Sequence, residues 1–282
     1  MRGGASLAHA APVSSPPGHV QSEQTPAFGS RRLRAKWEAG EPTFGLWAAI
    51  PSSLTAELGA AAGFDYVCVD LQHGMSDERT MVSMLQATVA AGATALARVA
   101  WNEPWLIMRA LDLGASGVIV PLVGSREEAA RAVQACRYPP EGNRSYGPIR
   151  AELVAGSRVP DDLARDALCL VMVETREALD RVDEIASTPG LDGVYIGPSD
   201  LSVALGLMPR GGGGEVLDEA IERIRASTLA HGLIAGMHCG SGEDARARAA
   251  QGFQLVTVAV DVRLFRATIS RELEQARAPD AQ

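Results

Sequence analysis

Ala60-Ala61-Ala62-Gly63-Phe64-Asp65-Tyr66-Val67-Cys68-Val69-Asp70 is the stretch on which the fold turns. It reads as a helix end, a glycine that closes it, and a short strand. Glycine suits that junction because a left-handed residue past a helix end costs it no Cβ strain. The same grammar returns at residues 89–99 (VAAG-ATALARV), 111–121 (LDLG-ASGVIVP), 187–197 (STPG-LDGVYIG), 229–239 (LAHG-LIAGMHC) and 249–260 (AAQG-FQLVTVAV). Runs at Phe44–Ile50 and Leu168–Val173 bring the candidate strands to eight. They are nearly continuous in Val, Ile, Leu and Ala, the pattern of parallel strands buried on both faces. Caps at Ser76-Asp77, Asn102-Glu103-Pro104 and Ser125-Arg126-Glu127-Glu128 open several of the intervening helices. Eight βα units in about 240 residues predict a (β/α)8 barrel. A doubly wound sheet would carry a glycine-rich phosphate turn after its first strand, and here Pro51-Ser52-Ser53 follows it.

The chain has 282 residues, 46% hydrophobic and 21% charged, enough for one barrel with its own core. Residues 1–30, rich in Ala, Pro, Ser and Gly, are expected to be a disordered leader without the apolar core of a secretory signal. Residues 31–282 are expected to form a single barrel domain, with Arg31–Lys36 opening a helix before the first strand. The net charge of −8 argues against nucleic acid as a partner. No apolar run approaches the ~20 residues of a membrane span. Cys68, Cys136, Cys169 and Cys239 show no C-x-x-C pairing and read as buried thiols in a reducing cytoplasm.

Barrel chemistry belongs at the carboxyl ends of the strands. There the second strand ends Asp70-Leu71-Gln72-His73, the third Arg98, the fifth Glu174 and the sixth Gly197-Pro198-Ser199-Asp200. One carboxylate at such a place is ordinarily the cap of the next helix, and one histidine a structural residue. Four strands contributing to one rim make a site, whose acids need a cation to offset desolvation. Glu174 and Asp200 lie 26 residues apart, one βα unit, so adjacent strands offer both to one hard divalent ion. Carboxylate and water ligands favour Mg2+ or Mn2+ over zinc, with Co2+ or Ni2+ also able to bind. Lys36, before the first strand, is the chain's only lysine, which disfavours a Schiff-base mechanism. His238 points to the same rim. Trp47 reads as core packing or a pocket wall, Trp101 and Trp105 as packed at a helix start or between subunits, and Gly211–Gly214 as a flexible loop.

At these residues the chain resembles the metal-dependent class II pyruvate aldolases of the 4-hydroxy-2-oxoheptanedioate aldolase type, in the citrate-lyase-like superfamily. The resemblance runs from Gly45 to about Arg271. It rests on Ala62-Gly63-Phe64-Asp65, Asp70-Leu71-Gln72-His73, Trp101-Asn102-Glu103-Pro104, Arg137-Tyr138-Pro139-Pro140-Glu141-Gly142, Val173-Glu174-Thr175-Arg176-Glu177-Ala178 and Gly197-Pro198-Ser199-Asp200-Leu201-Ser202. What it implies is a barrel of the phosphoenolpyruvate/pyruvate-binding type, assembled as a hexamer, that cleaves a 4-hydroxy-2-oxo acid into a 2-oxo acid and an aldehyde. It implies Glu174 and Asp200 as metal ligands, His73 as base and Arg98 as oxyanion stabiliser. Gly197, Ser199 and Asp200 would bind substrate, and Asp112 would raise the basicity of the histidine. Asp112 ends a helix and so belongs at the far face of the barrel. It serves a neighbouring subunit or is a solvated helix-end acid, and Asp70 is the alternative orienting acid. Gln72 stands where the family commonly has Glu, and Met172 where it has Gln, which touches the identity of the 2-oxo acid.

Two other readings stay open. An acyl-CoA lyase on the same scaffold would need basic residues for the CoA phosphates, and Arg137, Arg144 and Arg150 are the candidates. A non-catalytic barrel would have no use for Glu174, Asp200, Arg98 and His73 together. The apolar residues Trp105, Ile107, Leu264 and Phe265 on two helices point to a homo-oligomer.

Overall fold

The computed structural model describes residues 29–209 and 214–278. Eight parallel strands close into a barrel in chain order: β1 (Thr43–Ala48), β2 (Tyr66–Asp70), β3 (Thr94–Arg98), β4 (Gly117–Val120), β5 (Leu168–Val173), β6 (Gly193–Ile196), β7 (Ile234–His238) and β8 (Leu255–Val260). This is the (β/α)8 barrel that the glycine grammar predicts. The six glycines of that pattern all have positive φ, between 69° and 99°. The first strand stops two residues short of Ile50 because the next N–H groups leave the ladder. Ala49 N donates to Asp261 Oδ1 at 2.9 Å and Ile50 N to Asp261 Oδ2 at 3.1 Å.

Alternation along each strand sorts side chains into two cores. Val67 and Val69, Ala95 and Ala97, and Cys169, Val171 and Val173 face the helices. Tyr66 and Cys68, Leu96, and Leu168, Leu170 and Met172 fill the barrel interior. The inward phase carries Asp70, Arg98 and Glu174 to the top of that interior, so strand periodicity alone aims them at one another.

The helix Arg31–Glu38 sends Leu33 and Trp37 into the interior core from below, with Trp37 Nε1 donating to the Gln254 carbonyl at 3.0 Å. Residues 1–28 of the expected leader lie outside the described residues. Gly29 and Ser30 are buried against the barrel, Ser30 donating to Asp166 Oδ1 at 3.4 Å. Residues 211–213 of the expected glycine loop also lie outside them, and Gly214 begins the helix Gly214–Ala230. All four cysteines are free and buried. No helix among the described residues is long and apolar enough to cross a membrane.

Two surface expectations are corrected. Ile107 is fully buried in the outer core, since it lies on the inward face of the helix Pro104–Asp112. Trp101 and Trp105 are exposed and do not pack at that helix start, where Pro104 holds the first turn, so of the two readings only packing between subunits stays an expectation. The helix Asp261–Arg277 touches the barrel chiefly at its beginning, and every residue after Asp261 is exposed, including Val262, Leu264, Phe265, Ile269 and Leu273.

Candidate active site

A cavity of about 540 Å3 opens at the carboxyl ends of the strands. Asp70 and Arg98 stand side by side in the β2–β3 register. They form a forked pair, Arg98 Nε to Asp70 Oδ1 at 2.9 Å and Nη2 to Oδ2 at 2.6 Å. Trp47 Nε1 also donates to Oδ2, at 3.1 Å, and the indole lies 4.9 Å from the guanidinium carbon. Both charges are buried. Burial pushes the Asp70 carboxyl up, but the hydrogen bonds and charge of Arg98, with the Trp47 N–H, outweigh it and hold the group below its ordinary value. With Nε and Nη2 engaged, Nη1 is the arginine nitrogen left over to meet a ligand in the cavity.

The Asp70 carboxylate is thus committed to Arg98. Its contact with His73 is through the backbone, His73 N to Asp70 Oδ1 at 3.2 Å, with Gln72 N donating to the same oxygen at 3.0 Å. Asp70 therefore shapes the loop that carries His73 and does not orient the ring. His73 lies exposed at the cavity wall. Asp112 is away from this cavity. It ends the helix Pro104–Asp112 at the opposite end of the barrel, where its carboxylate accepts from the fully buried Arg144 at 2.7 Å. A helix antiparallel to its strand must end there, so Asp112 does not reach the His73 of its own chain.

Glu174 follows β5 in the inward phase and is buried. Its Oε1 accepts the N–H of Leu122 at 2.8 Å. Leu122 holds φ of 54°, the only left-handed non-glycine residue among the described ones, and sequence reading had no signal for it. Such backbone strain persists where surrounding structure imposes it, here at a carboxylate anchor. Burial first, then the nearby Asp200 charge, raise the Glu174 pKa to about 7, against the lowering effects of Leu122 N–H and Arg98. Asp200 sits in the first turn of the helix Pro198–Ala204, exposed at the cavity wall, with the half-buried Ser199 before it. A Cβ on Gly197, which precedes that helix, would fall 2.5 Å from Glu174 Oε2 and 2.9 Å from Met172 Cε, so a side chain there would push the ends of both out of place. Two mutually repelling carboxylates, with space kept open at the buried one by a glycine, fit a divalent cation. Among the described residues no third His, Cys, Asp or Glu joins them, so a cation held there would need water or substrate for its remaining ligands.

Trp47, Met172, Tyr195 and His238 also line the cavity, as do Val203, Pro209, Val260, Val262 and Arg263. Trp47 is both core and wall, and His238 packs edge-on against it at 5.3 Å. Val262 and Arg263 went unread because they open the last helix, whose approach to the rim depends on barrel closure. Gln72 lies outside the cavity wall, and its buried Oε1 has no partner among the described residues.

Barrel, buried arginine–aspartate pair and rim carboxylates together define an α/β-barrel enzyme of the carbon–carbon lyase kind. Residues 43–268 match the HpcH/HpaI aldolase/citrate lyase family model, and the chain belongs to that family. It is 39% identical over 248 residues to a hydroxypyruvate/pyruvate aldolase of Rhizorhabdus wittichii, covering 88% of this chain and 99% of that one. It is 39% identical over 208 residues to a 4-hydroxy-2-oxo-heptane-1,7-dioate aldolase of Escherichia coli, covering 72% and 79%. Among solved structures it is similar to an HpcH/HpaI aldolase/citrate lyase family protein from Burkholderia cenocepacia, with 31% identity, a TM-score of 0.78 and coverage of 88% and 98%. The family resemblance read from the motifs is borne out.

Proposed function

We propose that this chain is a divalent-metal-dependent aldolase that reversibly cleaves 4-hydroxy-2-oxo acids to pyruvate or hydroxypyruvate plus an aldehyde. The observation that carries the reading is one cavity walled by Arg98, His73 and Asp200, with Glu174 buried beside it. Lys36 is tied to Asp65 at 2.7 Å at the amino-terminal end of β2, far from that chemistry. Glu174 and Asp200 would hold Mg2+ or Mn2+, with Co2+ as a substitute. The bound cation would supply polarisation of the 2-oxo carbonyl and charge stabilisation of the enolate.

The chain's own groups do the rest. Arg98, already fixed by Asp70, offers Nη1 to the enolate oxygen without reorganising, as oxyanion stabilisation requires. The Ser199 and Asp200 N–H groups lie in a first helical turn, have no acceptor within the helix, and suit the substrate carboxylate. His73 takes the C4 hydroxyl proton directly or through water. The C3–C4 bond then breaks, its electron pair passes into the enolate, and the aldehyde leaves. The aldehyde occupies the half of the cavity formed by His238, Val260, Val262 and Arg263.

The acyl-CoA alternative loses its cations. Arg137 is bound to the Ala167 carbonyl and Asp192, Arg144 to Asp112, and Arg150 to the Leu113 carbonyl, all below the rim. The exposed helix Asp261–Arg277, with its apolar residues, supports a homo-oligomer in which a second copy covers it. The four buried, unpaired thiols support a cytoplasmic location. A retro-aldol assay over short and long 4-hydroxy-2-oxo acids tests the function. Cleavage should vanish in EDTA and return with Mn2+, Mg2+ or Co2+. Full activity in chelator, or borohydride trapping of substrate on the chain, would reject the reading.

A further inference from the structure

Below the rim the barrel interior holds three hydroxyls that the proposed chemistry does not use. Tyr66 of β2, Tyr195 of β6 and Thr257 of β8 are fully buried. Tyr195 Oη donates to Thr257 Oγ1 at 2.6 Å, and a 3.0 Å hydrogen bond joins Thr257 Oγ1 to Tyr66 Oη. No two of these strands are neighbours in the barrel, so the bonds run across its interior. Glycines on adjacent strands make room for the rings. A Cβ on Gly236 would lie 2.6 Å from Tyr195 Cδ2, and one on Gly45 would lie 2.1 Å from the Tyr66 ring.

The cluster leads to the arginine in two further contacts. Tyr195 stacks on Trp47 with ring centroids 5.6 Å apart and planes 27° from parallel. Trp47 in turn donates to Asp70 Oδ2 and lies against the Arg98 guanidinium. We propose that the Tyr66–Tyr195–Thr257 hydroxyl cluster is a positioning device for Arg98, acting through the Trp47 indole. The Tyr195 ring alone could rock in its slot, since packing fixes an aromatic plane better than its long axis. Tying its hydroxyl to Thr257 pins the far end of the ring, and the pinned ring fixes the indole. A displaced indole takes its N–H from Asp70 Oδ2 while Oδ1 stays on the Gln72 and His73 N–H groups, so the carboxylate pivots about Oδ1 and carries the forked arginine with it. Fully satisfied buried networks confer this kind of rigidity, and reacting geometry is sensitive to shifts of about an ångström.

The first arm of the test reads no activity. The hydrogen-exchange rate of the Trp47 indole N–H is followed by NMR in the full chain, its resonance assigned with Trp47→Phe. Thr257→Val, which keeps shape and loses the hydroxyl, should speed that exchange at least ~10-fold, and Thr257→Ser should restore protection. Tyr195→Phe should act as Thr257→Val does, and carries the comparison if the valine variant does not fold. The second arm rests on the aldolase reading and follows deuterium exchange into C3 of pyruvate. Thr257→Val should lower kcat ~10-fold with KM changed less than ~3-fold, and serine should rescue it. In an Arg98→Lys background the same substitution should cost less than ~2-fold, because its effect is already lost. Unchanged indole exchange in both hydroxyl-deleted variants, or an equal kcat loss in both backgrounds, overturns the proposal. A wild-type protein that exchanges no pyruvate would sink the aldolase reading, while the indole measurement would still decide the positioning claim.

Discussion

Replacing Asp70 by asparagine keeps the shape of the side chain and removes the charge that balances Arg98. The side chains of the pair are 3% and 8% exposed, so the guanidinium of the variant stays desolvated without a counter-ion. Removing one partner of a buried pair costs about 3–5 kcal/mol. At roughly 2–4 °C per kcal/mol for a domain of this size, the Tm should fall by ~6–20 °C. The pH dependence follows from the depressed pKa of Asp70. A carboxylate held below its unfolded value of about 3.9 contributes stability that is whole above that pH and lost as pH falls through the folded value. The difference between wild type and Asp70→Asn should therefore be constant from about pH 6 to 8 and shrink below about pH 4. Urea unfolding at fixed protein concentration across that range measures it. Equal stability at pH 7, or a gap that widens on acidification, would show that Asp70 does not hold Arg98 in the way described.

Other outcomes are expected from the same geometry. His73→Ala should lower aldol cleavage by ~10²–10⁴-fold, the usual worth of a positioned base, while sparing part of the C3 exchange of pyruvate. Arg98→Lys should depress both reactions together by ~10²–10³-fold, and normal exchange alongside failed cleavage would reassign the enolate stabiliser. Arg263→Gln should lower kcat/KM for carboxylate-bearing aldehydes relative to neutral ones of equal length by ~10-fold, about the worth of one charge-assisted hydrogen bond; an unchanged ratio places the aldehyde elsewhere. Light scattering at micromolar protein should give a mass well above the 29.6 kDa of one chain, and a monomer would mean that the helix Asp261–Arg277 stays bare.

Strand phase makes much of this site legible in the sequence. Once the glycines mark where each strand begins, alternation sends Asp70, Arg98 and Glu174 inward and the valines between them outward, because side chains on a strand repeat every two residues. The absence of a second lysine is equally plain in the chain itself. What alternation cannot supply is the partner of each group. Asp70 lies three residues from His73 yet binds Arg98, because parallel register places those two Cα atoms opposite each other while the turn after β2 swings the imidazole outward to the cavity wall. Asp112 matches a site residue by motif, yet within its own chain it meets Arg144 because its helix ends on the other side of the sheet. Leu122, Thr257 and Arg263 had no pattern to announce them. The first is a backbone donor in a strained turn, the second a hydroxyl that meets its tyrosines only across a closed barrel, and the third a cation on a helix that opens at the rim. Local periodicity fixes which way a side chain faces; only closure of the barrel, through contacts between residues far apart in the chain, decides what it faces.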